Sequence, residues 1–351
     1  MGHEGKGGGM KALVWRGVDE LRIEDIPAPE KKDQIIIRIS HTGICGSDIT
    51  IKSGKHPRAK TPLVLGHEFV GTISHVPTQY RKMFAEGQRV AVNPLVSCKT
   101  CRPCLAGHEH VCENLKLLGI EYNPGAFTGF IAVPQVERIH PLPDNLSDQE
   151  GALIEPLAVA VHAVDYARFT SGETAVILGA GPIGLLIAQV ARASGITALF
   201  VVETEAARLR MAKGLGFTVI DASKCDVVEE VRRATKNAGA DVTFDAAGVP
   251  VTAGQVIPLT GIKGRIIMVA IHKKPAEVAF RDLAYRELSI FGTRIYAKGN
   301  FETAIDLAAG AQVDLKTMVT HVLPMDEALR AFDIAQNDKE ACKVLIRQDP
   351  N

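Results

Sequence analysis

Cysteines at positions 98, 101, 104 and 112 form a C-x2-C-x2-C-x7-C run. Thiols this close together, in a chain with seven cysteines in all, are spaced for ligation rather than for core packing. Four thiolates on a short loop close a tetrahedral shell, which suits a structural zinc. Lys99, Arg102 and Lys116 lie nearby to offset the anionic charge, and Pro103 and Gly107 suit a loop that turns back on itself. The rival readings are unrelated surface thiols and an iron–sulfur cluster, whose ferredoxin run also opens C-x2-C-x2-C. That run closes with C-x3-C-P. Here Glu113 follows Cys112, so zinc is the expectation.

A second set is Gly43-Ile44-Cys45-Gly46-Ser47-Asp48 together with Gly66-His67-Glu68. A catalytic zinc takes three protein ligands and keeps one position open. Cys45 and His67 offer a thiolate and an imidazole. The third ligand is expected from Glu68 or from Glu155, which lies in the apolar stretch Leu153-Ile154-Glu155-Pro156-Leu157. A carboxylate buried there is costly unless it is paired or metal-bound. Zinc with one thiolate, one neutral imidazole and one carboxylate is neutral; a second carboxylate makes the shell anionic and blunts its Lewis acidity. One glutamate is therefore expected to ligate at a time, the other holding the bound water or exchanging with it.

Gly179-Ala180-Gly181-Pro182-Ile183-Gly184 matches G-x-G-x-x-G. It follows a strand-like run, opens an amphipathic helix, and is followed by Glu203 at the end of the next strand, the context of a dinucleotide site. Gly179 allows the turn, Gly181 lets backbone approach a pyrophosphate, and Gly184 permits close helix–strand packing, with amides at the helix start holding the phosphates. Glu203 is expected to accept hydrogen bonds from the adenosine ribose and to repel a 2′-phosphate, favouring NAD over NADP. Arg208 either softens that preference or is a solvated helix residue. Val269, closing the strand Arg265–Val269, is placed in the same cofactor-binding set.

These residues need elements to hold them. From Met10 to about His140 the pattern is short and β-rich, with runs at Ala12–Trp15, Leu21–Ile23, Gln34–Ile39, Phe69–Ser74 and Arg89–Val92, which predicts a barrel- or sandwich-like first domain. A helix is expected over Gly151–Ala167. After it, strands at 175–178, 198–202, 219–220, 242–245 and 265–269 alternate with helices at 182–194, 205–214 and 227–236. That alternation implies an α/β, doubly wound parallel sheet. Two further helices and a closing strand, Lys343–Ile346, are expected to return to the first domain. The predicted division is 10–157 with 295–351, and 158–294, with 1–9 a flexible tail.

GICGSD, GHEFVG, the four-cysteine lobe, EPLAVAVHA and GAGPIG occur in this order from Met10 onward. In these motifs the chain resembles the zinc-dependent medium-chain alcohol dehydrogenases, and within them the sorbitol, butanediol and threonine dehydrogenase branch. The resemblance implies a discontinuous GroES-like catalytic domain and a Rossmann coenzyme domain, with the active site in the cleft between them. In alcohol dehydrogenases proper the third zinc ligand is a cysteine; the matching position here is Glu155, as in polyol dehydrogenases. Glu68 matches the glutamate that can ligate in place of it. Ser47 matches the hydroxyl that relays the released proton, while Thr50 stands where many members carry a relay histidine. Arg294 matches an arginine near cofactor and substrate. The implied activity is NAD-dependent oxidation of a secondary hydroxyl of a polyol, vicinal diol or sugar derivative, assisted by one catalytic and one structural zinc.

Composition excludes several classes. Lys plus Arg and Asp plus Glu each number 40, so nothing favours nucleic acid or an anionic membrane as partner. The apolar stretch Thr174–Ala191 is broken by Gly179, Gly181, Pro182 and Gly184, which mark a turn rather than a membrane span. Scattered Cys45, Cys225 and Cys342 do not form a disulfide framework, and a cytoplasmic setting is expected. The family implies a homodimer or homotetramer. His41, His56, His75, His108, His110, His140, His162, His272 and His321 are taken as surface or packed residues, and Asp48 and Asp245 as scaffold or cofactor contacts. Rival functions are L-threonine 3-dehydrogenase, a general secondary- or primary-alcohol dehydrogenase, and a non-catalytic NAD(H)-binding redox sensor.

Overall fold

The structure, a computed structural model, describes residues 9–196 and 198–348. The expected tail therefore lies outside the described residues up to position 8, while Gly9 already opens the first strand, Gly9–Gly17. The chain forms two compact units, one running to Glu155 and resuming at Leu315, the other Pro156–Asp314.

In the first unit the strand Ile35–Gly43 is the hub. It pairs antiparallel with Glu68–His75 along one side, and on the other with Phe130–Val133 through residues 35–38 and with Lys343–Arg347 through residues 41–43. Its alternate side chains Ile35, Ile37 and Ile39 join Phe69, Ile73, Val90, Val92 and Ile131 in one apolar core, as a period-two pattern requires. The closing strands Val319–Pro324 and Lys343–Arg347 run parallel, joined through the helix Ala328–Asn337. This return of the C-terminus sets Leu345 opposite Gly43, and Gly43 in turn opposite Glu68.

Ahead of Glu155, the sequence pattern predicts one helix from Gly151. The structure has two pieces. Ser147 caps a short helix, Asp148–Gly151, by accepting from Glu150 N–H at 3.2 Å, and the longer helix begins at Ile154. Asp148 ties the short helix to two strands, accepting from the Ser40 hydroxyl and from Arg89 at 2.6 and 3.0 Å. Burial pushes its carboxyl up, but the Ser40 hydroxyl and the Arg89 guanidinium outweigh that and hold it below the usual aspartate range. A depressed folded pKa stabilises above the unfolded value of about 3.9 and is lost as pH falls through the folded value. Asp148→Asn is therefore expected to lower the thermal midpoint at neutral pH and to leave it unchanged near pH 2, as read by calorimetry across that range.

The second unit is a six-stranded, all-parallel sheet in the order Thr218–Asp221, Ala198–Glu203, Thr174–Leu178, Ala240–Asp245, Thr260–Met268, Ser289–Gly292. That 3-2-1-4-5-6 order is the Rossmann topology. Its switch point lies between Thr174–Leu178 and Ala240–Asp245. The sixth strand was not expected from the sequence, because its four residues are mostly exposed and it lies at the sheet edge. Residues 295–314, expected in the catalytic domain, group with this unit. Asn300 bonds His162 at 3.0 Å and Asp165 at 2.5 Å, and Phe301, Ala304, Ile305 and Ala308 are buried. Among the described residues no helix is long and apolar enough to cross a membrane.

Candidate functional site

Cys45 lies two residues past the hub strand and caps the helix Gly46–Lys52, an element the sequence pattern did not predict. Its N–H donates to Asp48 Oδ2 at 2.9 Å. Glu68 opens the neighbouring strand, with His67 immediately before it. Ligand atoms of Cys45, His67 and Glu68 lie within 4.8 Å of one another. His67 turns Nδ1 toward Asp48 Oδ1 at 3.6 Å and Nε2 toward Ser47 Oγ at 3.3 Å. A carboxylate behind a ligand histidine fixes its ring and tautomer. Burial presses the His67 imidazole toward the neutral form, but Asp48 and Cys45 overcome this and hold it well above its ordinary range.

Glu155 lies buried in the first turn of its helix, 6% exposed, and does not join the three-residue group. The residue that sequence reasoning missed is Lys343. It is 3% exposed, pairs with Glu68 and donates to Ile44 O at 3.3 Å. Burial pulls its ammonium down, yet Glu68, Cys45 and Glu155 together hold it above the ordinary lysine range. Gly43 makes this pair possible, because a Cβ there would collide with Glu68 Oε2. Lys343 also changes the charge sum. Zinc with the Cys45 thiolate, both glutamates and Lys343 totals zero, so two carboxylates can share the site without leaving it anionic. Its only trace in the sequence is a charged residue opening an apolar strand.

The four-cysteine lobe is assembled as expected. Sγ–Sγ separations are 3.4 Å for Cys112–Cys98, 3.8 Å for Cys101–Cys112 and 4.0 Å for Cys98–Cys104. Sulfurs about 2.3 Å from a tetrahedral zinc lie about 3.8 Å apart. The spacing fits the metal and is far too long for a disulfide. Backbone N–H groups of Cys101 and Asn114 point at Cys98 and Cys112 sulfurs at 3.4 and 3.3 Å. Thr100 and Cys101 draw the Cys98 thiol down to about 5, while burial pushes Cys104 up to about 12. Lys99, expected to offset the thiolates, pairs instead with Glu137.

In the second unit Gly179 holds φ at +100° and Gly184 has no room for a Cβ against Gly179 O. A Cβ on Gly181, the N-cap of the helix Pro182–Ala193, would meet only open space. That is the opening a pyrophosphate requires at a helix start. Pro182 and Ile183 form the first helical residues. Glu203 accepts from the N–H groups of Ala180, Thr204 and Glu205 at 3.0, 2.7 and 3.1 Å. Burial raises its carboxyl, but these donors and Arg208 bring it below the ordinary range. Arg208 lies 3.6 Å from Glu203, a charge partner whose side chain is still half exposed to solvent on its helix. Val269 donates to Asp245 O at 3.0 Å just past the fifth strand, and Arg294 is exposed.

Residues 31–144 match the family described as the alcohol dehydrogenase GroES-like domain, and residues 182–310 match the zinc-binding dehydrogenases. The chain is 36% identical over 314 residues to 2-dehydro-3-deoxy-L-galactonate 5-dehydrogenase of Pseudoalteromonas atlantica, covering 89% of this chain and 91% of that protein. It is 33% identical over 347 residues to sorbitol dehydrogenase of Bacillus subtilis, covering 96% and 97%. The crystal structure of 2R,3R-butanediol dehydrogenase from Bacillus subtilis superposes with a TM-score of 0.89 at 31% identity, covering 97% of this chain and 100% of the other.

Proposed function

Because this chain belongs to the zinc-dependent medium-chain alcohol dehydrogenases, we propose that it oxidises a secondary hydroxyl of a polyol, vicinal diol or sugar derivative to the ketone with NAD. The observation that carries this reading is the convergence of Cys45, His67 and Glu68, with Lys343 behind them. Bound zinc would supply the Lewis acidity that favours loss of the substrate's hydroxyl proton, and NAD would accept the hydride.

The chain's residues do the rest. Cys45, His67 and Glu68 hold the catalytic ion, with Glu155 in reserve beside Lys343, and Cys98, Cys101, Cys104 and Cys112 hold the structural one. Ser47 Oγ takes the substrate's proton. Thr50 cannot carry it further, since its hydroxyl already donates to Gly46 O at 2.9 Å; water or a cofactor ribose hydroxyl completes the relay. Gly179, Gly181, Pro182, Ile183 and Gly184 cradle the cofactor phosphates, Glu203 the adenosine ribose, with Val269 and Arg294 toward the other half. The edge strand Ser289–Gly292, with Ile290 39% exposed, supports a homodimer built by strand pairing, from which a homotetramer can assemble. Seven free cysteines support a cytoplasmic setting.

Glu203→Ser removes the acceptor and the charge that faces a 2′-phosphate, while Arg208 stays. It is expected to shift the NADP-to-NAD ratio of kcat/KM upward by about 10- to 100-fold, measured with one substrate and both cofactors. The function itself is tested by zinc content together with NADH production over polyols, sugar alcohol phosphates and L-threonine. Turnover of polyols supports the proposal. Exclusive turnover of L-threonine assigns the amino-acid branch, and NADH binding with full zinc but no turnover assigns a redox sensor.

A further inference from the structure

Residues 53–61 join the helix Gly46–Lys52, which carries Ser47, to the strand Leu63–Val64, which leads into His67. The loop is pinned along its length. Lys55 N–H returns to Thr50 O at 3.0 Å, Asp19 N–H reaches Lys52 O at 2.7 Å, and Thr61 Oγ1 donates to Trp15 O at 3.1 Å. Gly54 holds φ at +69°, and a Cβ there would collide with Val18. Between Asp48 and Glu68 the chain has no acidic residue, yet Lys52, Lys55, Arg58 and Lys60 all fall there. Lys52 donates to Gln336 at 2.9 Å and Arg58 pairs with Glu121 at 2.6 Å. Lys55 and Lys60 are exposed and meet no carboxylate among the described residues. Unpaired positive charge on a fixed loop beside a small-molecule site favours an anionic ligand.

His56 gives that charge a direction. Sequence reasoning took it for an ordinary surface or packed histidine. Its Nδ1 accepts from Ala59 N–H at 3.1 Å and from Arg58 N–H at 3.4 Å. Backbone N–H groups only donate, so the neutral ring carries its proton on Nε2. Burial pulls the imidazole below the ordinary histidine range, opposed by Glu121, and the charges of Arg58, His67 and Asp48 reach it as well. The ring is therefore neutral near neutral pH and stands within electrostatic reach of the catalytic group. Its Nε2 is open to solvent and has no partner among the described residues. An aimed N–H donor, on a loop with two unpaired ammonium groups, suits a carboxylate or phosphate oxygen.

We propose that the substrate is acidic, a sugar acid or a sugar-alcohol phosphate, and that His56 Nε2–H binds its anionic group while Lys55 and Lys60 supply the countercharge. The inference rests on the polyol-oxidising reading given above and narrows it. The hydroxyl to be oxidised lies at Ser47, and the anionic group, further along the carbon chain, reaches His56.

The test is kcat/KM of the zinc-loaded protein with NAD on matched hexitols, hexonates and hexitol phosphates of the gluco, manno and galacto series. It is run at low and high salt, with thermal midpoints recorded for each variant. The wild type should favour a charged series over its neutral hexitols by at least about tenfold, and salt should erode that preference. Better turnover of hexonates assigns a carboxylate, and of hexitol phosphates a phosphate. Two variants separate binding from scaffolding. In His56→Asn the amide oxygen takes the place of Nδ1 and keeps the Ala59 bond, but the Nε2 donor is gone. In His56→Gln the amide nitrogen takes the place of Nε2, and the loop bond is lost. Asparagine should cost about 10- to 100-fold on the acidic substrate, the scale of a hydrogen bond to a charged group, and nothing on a neutral hexitol. Glutamine should retain most of the activity; a purely structural role predicts the reverse. Lys55→Ala combined with Lys60→Ala should raise KM for the acid, flatten its salt dependence and leave kcat unchanged. Equal turnover of neutral and acidic series, or an unchanged acid preference in folded His56→Asn, overturns the inference. No turnover of any hexitol, hexonate or hexitol phosphate defeats the polyol-oxidising reading instead.

Discussion

His67→Ala should lose close to one zinc per chain and at least about 10⁴-fold in kcat/KM, because most of the hydroxyl acidification is attributed to the ion that His67 helps hold. The imidazole is buried between Asp48 and Ser47, and one of its ring nitrogens lies within 4.8 Å of the ligand atoms of Cys45 and Glu68. Alanine removes the imidazole and leaves only the thiolate and carboxylates, a set without the neutral nitrogen ligand that holds a catalytic zinc here. The four-cysteine lobe shares no residue with this group, so its zinc should remain. NADH affinity should also remain, because the glycine loop and Glu203 belong to the second unit. Metal analysis, NADH titration and steady-state kinetics on one preparation check all three. Loss of both metals together would show that the variant had unfolded rather than lost a ligand, and His67→Gln then isolates the ligand effect.

Lys343→Met carries the second largest expected effect. The Lys343–Glu68 pair is almost fully buried, at 3% and 2% side-chain exposure. Removing one partner of such a pair leaves an uncompensated charge and costs about 3–5 kcal/mol. The site sum also falls from neutral to −1, which weakens the electrophile. Loss of a group supporting a metal ligand typically costs about 10- to 100-fold in activity or metal affinity. Denaturant unfolding should register the stability loss, and Lys343→Arg should recover most of it. Adding Glu68→Gln to Lys343→Met should restore stability but not activity, since the carboxylate left unpaired is then gone while the ligand is gone too. Equal stability of Lys343→Met and the wild type would contradict the paired geometry.

What the sequence made legible was local. The cysteine spacing, the glycine loop and the Cys45 and His67 motifs each carry their chemistry within a dozen or so neighbouring residues, and the strand–helix alternation announced the parallel sheet. What escaped depends on register between distant segments. Lys343 meets Glu68 across 275 positions, only because the C-terminal strand returns beside Ile35–Gly43 and because Gly43 leaves room. Asp245 and His272 are 27 positions apart and meet at two strand ends, which no periodicity reveals. The false helix start at Gly151 has a simpler cause. The apolar run continues through the turn at Ala152 and Leu153, so hydrophobicity alone could not find the break that the Ser147 cap creates. The division at 295 failed for a similar reason, since nothing near Asn300 in sequence signals its bonds to His162 and Asp165.

Anomalous diffraction at the zinc edge tests the central claim most directly. Two peaks per chain are predicted, one inside the tetrahedron of Cys98, Cys101, Cys104 and Cys112, the other about 2.3 Å from Cys45 Sγ and about 2.0–2.1 Å from a ring nitrogen of His67. A single peak, confined to the four-cysteine lobe in crystals grown with excess zinc, would contradict it.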